Sequence, residues 1–453
     1  MKDRNFLGLI LSVMLLLLAA GSALARGAQP VGYPAASGAN AGSAANAPWF
    51  ISTVDSAVGF CSHVSVAIDP TSGTTYISYY DETNTALKMA KHVGSGGNCG
   101  PNDSWSCQTI DSSEDVGKYS SIAINPASGE AGIAYHDATN GKLKYAYRSC
   151  APLCWWVKIT VDQGIFPVSF TGLYTSLKYH SNGTAYIAYY FNNPSGVDAL
   201  MVASYVGSGG NCGYGTATGE WQCDTIQTGE GVGQYASLAL DGSGQPRIAY
   251  RDGGNDALMY AYQSGGYWTI REILPTSSGQ YASLDVDVNN GDLPHIAHYD
   301  ATNGKLEYAV YVGSNGNCGF NSSTTKFEWQ CDEIATMGTM GTHPRTRDVS
   351  LAVDKAGFPI IAYSWYYGTP LSGRGFSWVR PAAALGLQSG NCGPQDLWQC
   401  GGIDGAFTGD YSAIAVSPSG LATTAYNYSQ YPGGLRVAYQ QIQVYLPLIL
   451  KNQ

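Results

Sequence analysis

Short runs of alternating apolar and polar residues recur along the chain, separated by clusters of Gly, Asn, Asp and Pro. In YASLALDGSGQPRIAYRD, at 235–252, one alternating segment enters a glycine turn and a second leaves it. Period-two alternation bounded by turn residues predicts paired antiparallel strands. The first segment recurs as SVAID from Ser65, SIAIN from Ser121, SLKYH from Ser176, SLALD from Ser237, SLDVD from Ser283, SLAVD from Ser350 and AIAVS from Ala413. A second strand follows each, such as YISYYD from Tyr76 or HIAHYD from His295, and then a third, such as LKYAYR from Leu143. A fourth opens on an aromatic residue, as in WVKITV from Trp156 and WQCDTI from Trp221.

One four-stranded sheet cannot bury both faces alone, so seven repeats call for a radial array. The expectation is an all-β fold, a seven-bladed β-propeller with four antiparallel strands per blade. The seventh repeat lacks a Trp-led fourth strand, whereas WFISTVD stands at Trp49 ahead of the first. The N-terminal strand is therefore expected to complete the last blade. Small residues such as Ala67, Ala123, Ala239 and Ala352 suit strands crowded around an axis.

Composition agrees with this reading. The 453 residues include 57 Gly and 33 Tyr and only 12% charged residues, which suits short strands and tight turns. The net charge of -10 and the scattered Lys and Arg argue against a nucleic-acid partner and an anionic membrane surface. At the start, Lys2 and Arg4 precede an apolar run over 6–20 and a small-residue site at Ala23–Ala25, the pattern of an export signal. The expected organisation is a signal peptide at 1–25, a flexible Ala/Gly/Ser/Pro leader at 26–48, the propeller at 49–443 and a short apolar tail at 444–453. The mature chain is expected to be secreted, without a transmembrane span, and the tail either attaches it to a surface or packs on the propeller.

Ten of the eleven cysteines fall in five local pairs between third and fourth strands: Cys99 with Cys107, Cys150 with Cys154, Cys212 with Cys223, Cys318 with Cys331, and Cys392 with Cys400. In an exported chain these read as disulfide-closed hairpin loops. Pairs on different blades cannot share an ion and none has a His at zinc-ligand spacing, so no metal and no cofactor are expected. Cys61 is left over.

Second-strand ends and first-strand entries share one face. Repeated residues there, such as Asp137 and Asp300, suit turn capping. Residues that differ between repeats are the sharper candidates for a ligand. The expected ligand-binding set is His136, Asp137, Arg251, Asp252, Tyr299, Asp300, Trp365, His343, Arg345 and Arg347, with no catalytic residue assigned. Tyr119, Tyr174, Tyr235, Tyr281 and Tyr411 enter the same face with His63. Rings interleaved with carboxylates fit sugars or peptide segments.

The strands SLALD, RIAYRD and WTIREI, in that order, resemble the secreted propellers of the sialidase-like and BNR-repeat type over about residues 49–443. The resemblance implies a propeller and, for that family's enzymes, an arginine triad for the substrate carboxylate, a Tyr with a Glu partner as nucleophile, and an Asp acid/base. Arg251, Arg345 and Arg347 are the triad candidates, on two repeats, and the Asp-box pattern of Ser, Asp, Gly and Trp is absent. Sialidase activity is therefore not assigned. The leading expectation is an extracellular protein presenting a propeller face to glycans or protein partners. The alternatives are a secreted glycan hydrolase using carboxylates on that face and a structural surface or matrix protein.

Overall fold

The computed structural model describes residues 48–150, 153–164, 169–214, 218–276, 278–337, 348–366, 374–405, 408–430 and 433–441. The expected export signal, the expected leader up to residue 47 and the expected tail lie outside the described residues. Three single-turn helices aside (Pro101–Asp103, Ala382–Leu385 and Pro394–Asp396), every regular element described is a β-strand, and every strand pairing is antiparallel. Among the described residues no helix is long and apolar enough to cross a membrane.

Hydrogen bonding groups the strands into six sheets. The first repeat forms a four-stranded sheet, Cys61–Ile68, Thr75–Asp81, Ala86–His92 and Trp105–Asp111, in sequence order. The fourth and sixth repeats do the same, and the fifth adds a short strand, Cys318–Asn321. The second and third repeats share one nine-stranded sheet. They are joined by another short strand, Cys212–Tyr214, where Tyr214 pairs with Thr160 of the preceding repeat. Both short strands lie in disulfide loops that the alternation pattern did not mark as strands. The last sheet comprises Thr408–Val416, Ala422–Tyr428 and Gly434–Gln440, with Trp49–Asp55 paired to the last of these from Trp49 opposite Gln440 to Asp55 opposite Leu435. The first strands of the seven repeats pack side by side in cyclic order, the seventh against the first.

Three repeated devices hold the fold together, two between neighbouring repeats and one within the cysteine loops. The Ser that opens each first-strand phrase accepts a backbone N–H from the next repeat. Ser65 accepts from Ile122, Ser121 from Leu177, Ser176 from Leu238, Ser237 from Leu284, Ser283 from Leu351 and Ser350 from Ile414, at 2.9–3.2 Å. The seventh repeat carries Ala413 at this position, and there the ring is closed by strand pairing instead. The second device is a carboxylate at the end of an outer strand. Asp55, Asp111, Asp162 and Asp404 accept the hydroxyls of Tyr79, Tyr135, Tyr189 and Tyr426 in the following repeat at 2.7–2.9 Å. Lys88, Lys144 and Arg436 add ion pairs to three of them at 2.6–2.8 Å.

Burial alone would raise the Asp111 carboxyl. Hydrogen bonds from Lys144 and Tyr135, with the charges of Lys144 and Lys158, outweigh burial and hold it at about 2. Because the folded value is depressed, this stabilisation is fully present above the unfolded aspartate value and fades as pH falls toward 2. Asp111 alone thus contributes roughly 2 kcal/mol that acid removes. Replacing Lys144→Met should cost about 2 kcal/mol at neutral pH and move the acid-unfolding midpoint upward in a circular-dichroism titration. An unchanged midpoint would show that Lys144 does not hold Asp111 down.

The third device closes the cysteine loops. All five disulfides form as their spacing suggests. In four of them the Asn before the first Cys spans the second Cys: Asn98, Asn211, Asn317 and Asn391 each accept its N–H and donate to its carbonyl. One amide side chain thereby acts as an extra strand residue. The Gly ahead of that Asn tolerates no side chain, since a Cβ at Gly97 would lie 1.9 Å from the carbonyl oxygen of Trp105. Cys61 is a buried free thiol packed among Val54, Val64 and Tyr79, and burial pushes its ionisation up. It is a core residue.

Candidate functional site

In five repeats the first strand bulges one or two residues ahead of the opening Ser. Pairing skips from Ser62↔Tyr80 to Ser65↔Ser78, so His63 and Val64 together oppose Tyr79, and the same skip recurs before Ser121, Ser176, Ser237 and Ser283. A bulge of this kind normally places Gly in the left-handed region. Here the left-handed residue is aromatic every time: His63, Tyr119, Tyr174, Tyr235 and Tyr281 have φ between 51° and 55°. Each costs about 1–2 kcal/mol of backbone strain.

The rings meet one another around the centre. Centroids are 5.0 Å apart for Tyr411 and His63, 4.4 Å for His63 and Tyr119, 4.9 Å for Tyr119 and Tyr174, 4.6 Å for Tyr174 and Tyr235, and 4.7 Å for Tyr235 and Tyr281. Each contact contributes about 0.5–1.5 kcal/mol, which offsets much of the strain. Behind the rings, Ser120 donates to the His63 carbonyl at 2.7 Å and Thr175 to that of Tyr119, fixing the strained backbone.

The sixth repeat breaks the series. Asp348 occupies the position that carries a ring elsewhere, and it lines a central cavity of about 340 Å³ together with the six rings. Its carboxylate accepts the N–H of Val349 at 3.1 Å and that of Ser412. Burial, with the charges of Lys118 and His136, pushes the His63 imidazole down to about 3, so it is neutral at physiological pH. Burial likewise pushes the phenols of Tyr119, Tyr174 and Tyr281 up. The cavity thus combines ring faces and hydroxyls with one acidic side chain.

The residues singled out from sequence sit around or away from this crown. His136 is buried beside it, its ring 6.2 Å from Tyr119 and its Nδ1 2.8 Å from the Thr171 carbonyl oxygen. Tyr299 is fully buried with its ring 6.5 Å from Tyr281. Arg251 pairs with Asp256 at 2.5 Å and with Gln234 at 2.6 Å. Asp137, Asp252 and Asp300 cap hairpin turns, accepting from Asn140, Asn255 and Asn303 respectively. Trp365 donates its indole N–H to Ser377 at 2.9 Å. His343, Arg345 and Arg347 lie outside the described residues, which resume at Asp348. The signal for the crown was present in the sequence as a His or Tyr two positions ahead of the phrase Ser, with Asp348 as the exception. Glu130, Cys150 and Cys154 come together, but the two sulfurs are bonded to each other and offer no thiolate to a metal.

No family model matches the chain, and no curated protein is similar to it. Among solved structures it is similar to β-propellers. A Hadza microbial sialidase matches with 12% identity and a TM-score of 0.45, over 84% of this chain and 66% of the sialidase. The chain therefore spans just under two thirds of that protein's length. The fucose-specific lectin from Aleuria aurantia matches with 12% identity and a TM-score of 0.43, over 75% of this chain and 94% of the lectin. An α-L-arabinanase from Penicillium chrysogenum matches with 12% identity and a TM-score of 0.42, over 69% of this chain and 92% of that chain.

Proposed function

We propose that the seven repeats are seven blades of a propeller, the nine-stranded sheet counting as two, and that the central crown binds glycans outside the cell. The observation that carries this is the ring of six aromatic side chains interrupted by Asp348. Ring faces cover the apolar face of a sugar, and phenols with a carboxylate exchange hydrogen bonds with its hydroxyls. A cavity of about 340 Å³ lies at the small end of the usual range for ligand sites, matching one or two sugar units. The five disulfides suit an oxidising compartment.

Binding is favoured over hydrolysis because most glycosidases use two opposed carboxylates, and the sialidase-type alternative, a Tyr nucleophile, needs a Glu partner that the described lining lacks. Among the described lining residues Asp348 is the one acid, and both its oxygens accept backbone N–H groups. The test is a glycan array followed by calorimetry on the selected sugar. Tyr174→Ala and Asp348→Asn should each weaken binding about tenfold or more while cooperative thermal unfolding persists. Failure to select any glycan, or unaltered affinity in Tyr174→Ala, would reject the crown as a sugar site and direct attention to protein partners.

A further inference from the structure

The seven repeats bring one equivalent position each to the central cavity, and in six of them it carries a ring. In the sixth repeat it carries Asp348, between Tyr281 of the fifth and Tyr411 of the seventh. Neighbouring rings meet at 45–60°, so none is covered face to face by the next. The face of an aromatic ring is the negative pole of its quadrupole and attracts a cation. A carboxylate set into such a wall adds a full charge of the same sign.

The positive groups around the crown are engaged or neutral. Lys118, whose charge reaches His63, pairs with Asp115 at 2.6 Å and lies 5.3 Å from the centre of the Tyr80 ring. Burial holds the His63 and His136 imidazoles below their ordinary range, which leaves both neutral at physiological pH. Among the described lining residues there is no Lys and no Arg. The N–H groups of Val349 and Ser412 that hold Asp348 are neutral donors, so they orient the carboxylate without cancelling its charge. Each takes one of its roughly four acceptor sites. A neutral sugar makes use of the rings and hydroxyls; the carboxylate discriminates further, by charge.

We propose that the sugar taken by the crown carries a free ammonium group, so that the ligand is an amino sugar with its ammonium beside Asp348 and its pyranose against the tyrosine rings. The assignment rests on the crown being a sugar site. Hydrogen bonds from an ammonium to a carboxylate are roughly twice as strong as those from a hydroxyl, and the ring faces of Tyr281 and Tyr411 stabilise the same charge.

The test is calorimetric titration of the full chain with three β-1,4 disaccharides that differ at C2: the glucosamine disaccharide, its N,N′-diacetyl form and cellobiose. At about pH 6, where a primary amine is protonated, the glucosamine disaccharide should bind about tenfold or more tighter than either of the others. Asp348→Asn should shrink that preference to within about twofold while cooperative thermal unfolding persists. Tyr174→Phe, which keeps the ring face, should retain the preference. Cellobiose binding as tightly as the glucosamine disaccharide would overturn the ammonium assignment and leave the crown a sugar site. A preference that survives Asp348→Asn would overturn the pairing with Asp348. If none of the three binds, the assignment falls, and an amine-free glycan selected on the array would then show that the crown takes a neutral sugar. Should Asp348→Asn not unfold cooperatively, the ranking of the three sugars on the parent chain still decides.

Discussion

A chain that starts at Ser56, lacking the strand Trp49–Asp55, will lose its cooperative thermal transition. The deletion removes the strand pairs from Trp49↔Gln440 to Asp55↔Leu435 and exposes the edge of Gly434–Gln440. It withdraws Val54, fully buried in the core between the last and first repeats. It also takes Asp55 from Tyr79 and Lys88, each 2.7 Å away, leaving a buried hydroxyl and a largely buried ammonium without their acceptor. These losses together exceed about 5 kcal/mol, comparable with the whole stability of many domains. Differential scanning calorimetry on the parent chain and on the truncation reads the effect. A truncation melting within a few degrees of the parent would show that the ring does not depend on this strand.

Arg380→Met will destabilise the protein by about 3–5 kcal/mol, among the largest effects of any single substitution in this chain. Arg380 is 1% exposed and its Nη2 lies 2.6 Å from Asp354. Burial lowers the ionisation of the guanidinium and the charge of Asp354 opposes that. Removing the cation leaves Asp354, itself largely buried, with the turn N–H groups of Ala356 and Phe358 as its donors among the described residues. The cost comes from the stranded carboxylate, so Arg380→Met with Asp354→Asn should recover a substantial part of it. Urea denaturation of both variants decides the matter. A single variant within about 0.5 kcal/mol of the parent, or a double variant no better than the single, would remove the ion pair from the account.

The strands, their order in each repeat and the cysteine pairs were legible because each depends on neighbours close in sequence. Alternation marks a strand, Gly and Asp mark its turn, and a loop joining cysteines 4 to 13 residues apart brings its two sulfurs together. The Ser of each phrase was visible, but its bond runs to the following repeat, and sequence carries no sign of that partner. The joining of the second and third repeats through Tyr214 and Thr160 was hidden for the same reason. The crown escaped through a rule about repetition. Tyr119, Tyr174, Tyr235 and Tyr281 recur, and recurrence favours scaffold, so His136, Arg251 and Trp365 appeared sharper because they do not recur. In a closed ring, however, equivalent positions converge on one point, and repeated residues there meet one another. Nor does a Tyr announce a positive φ; only the bulge in pairing reveals it.

Because Trp49 pairs with Gln440, a chain delivered from its N-terminus must wait for its final repeat before its first strand finds a partner. Pairings this remote in sequence form slowly, and an unpaired edge in the meantime invites contact with other chains. The disulfides follow the opposite timetable. Each joins cysteines only 4 to 13 residues apart and can close as soon as its own repeat has emerged. The molecule is thus locked piecemeal by covalent bonds during delivery and latched as a whole, reversibly, only at the end.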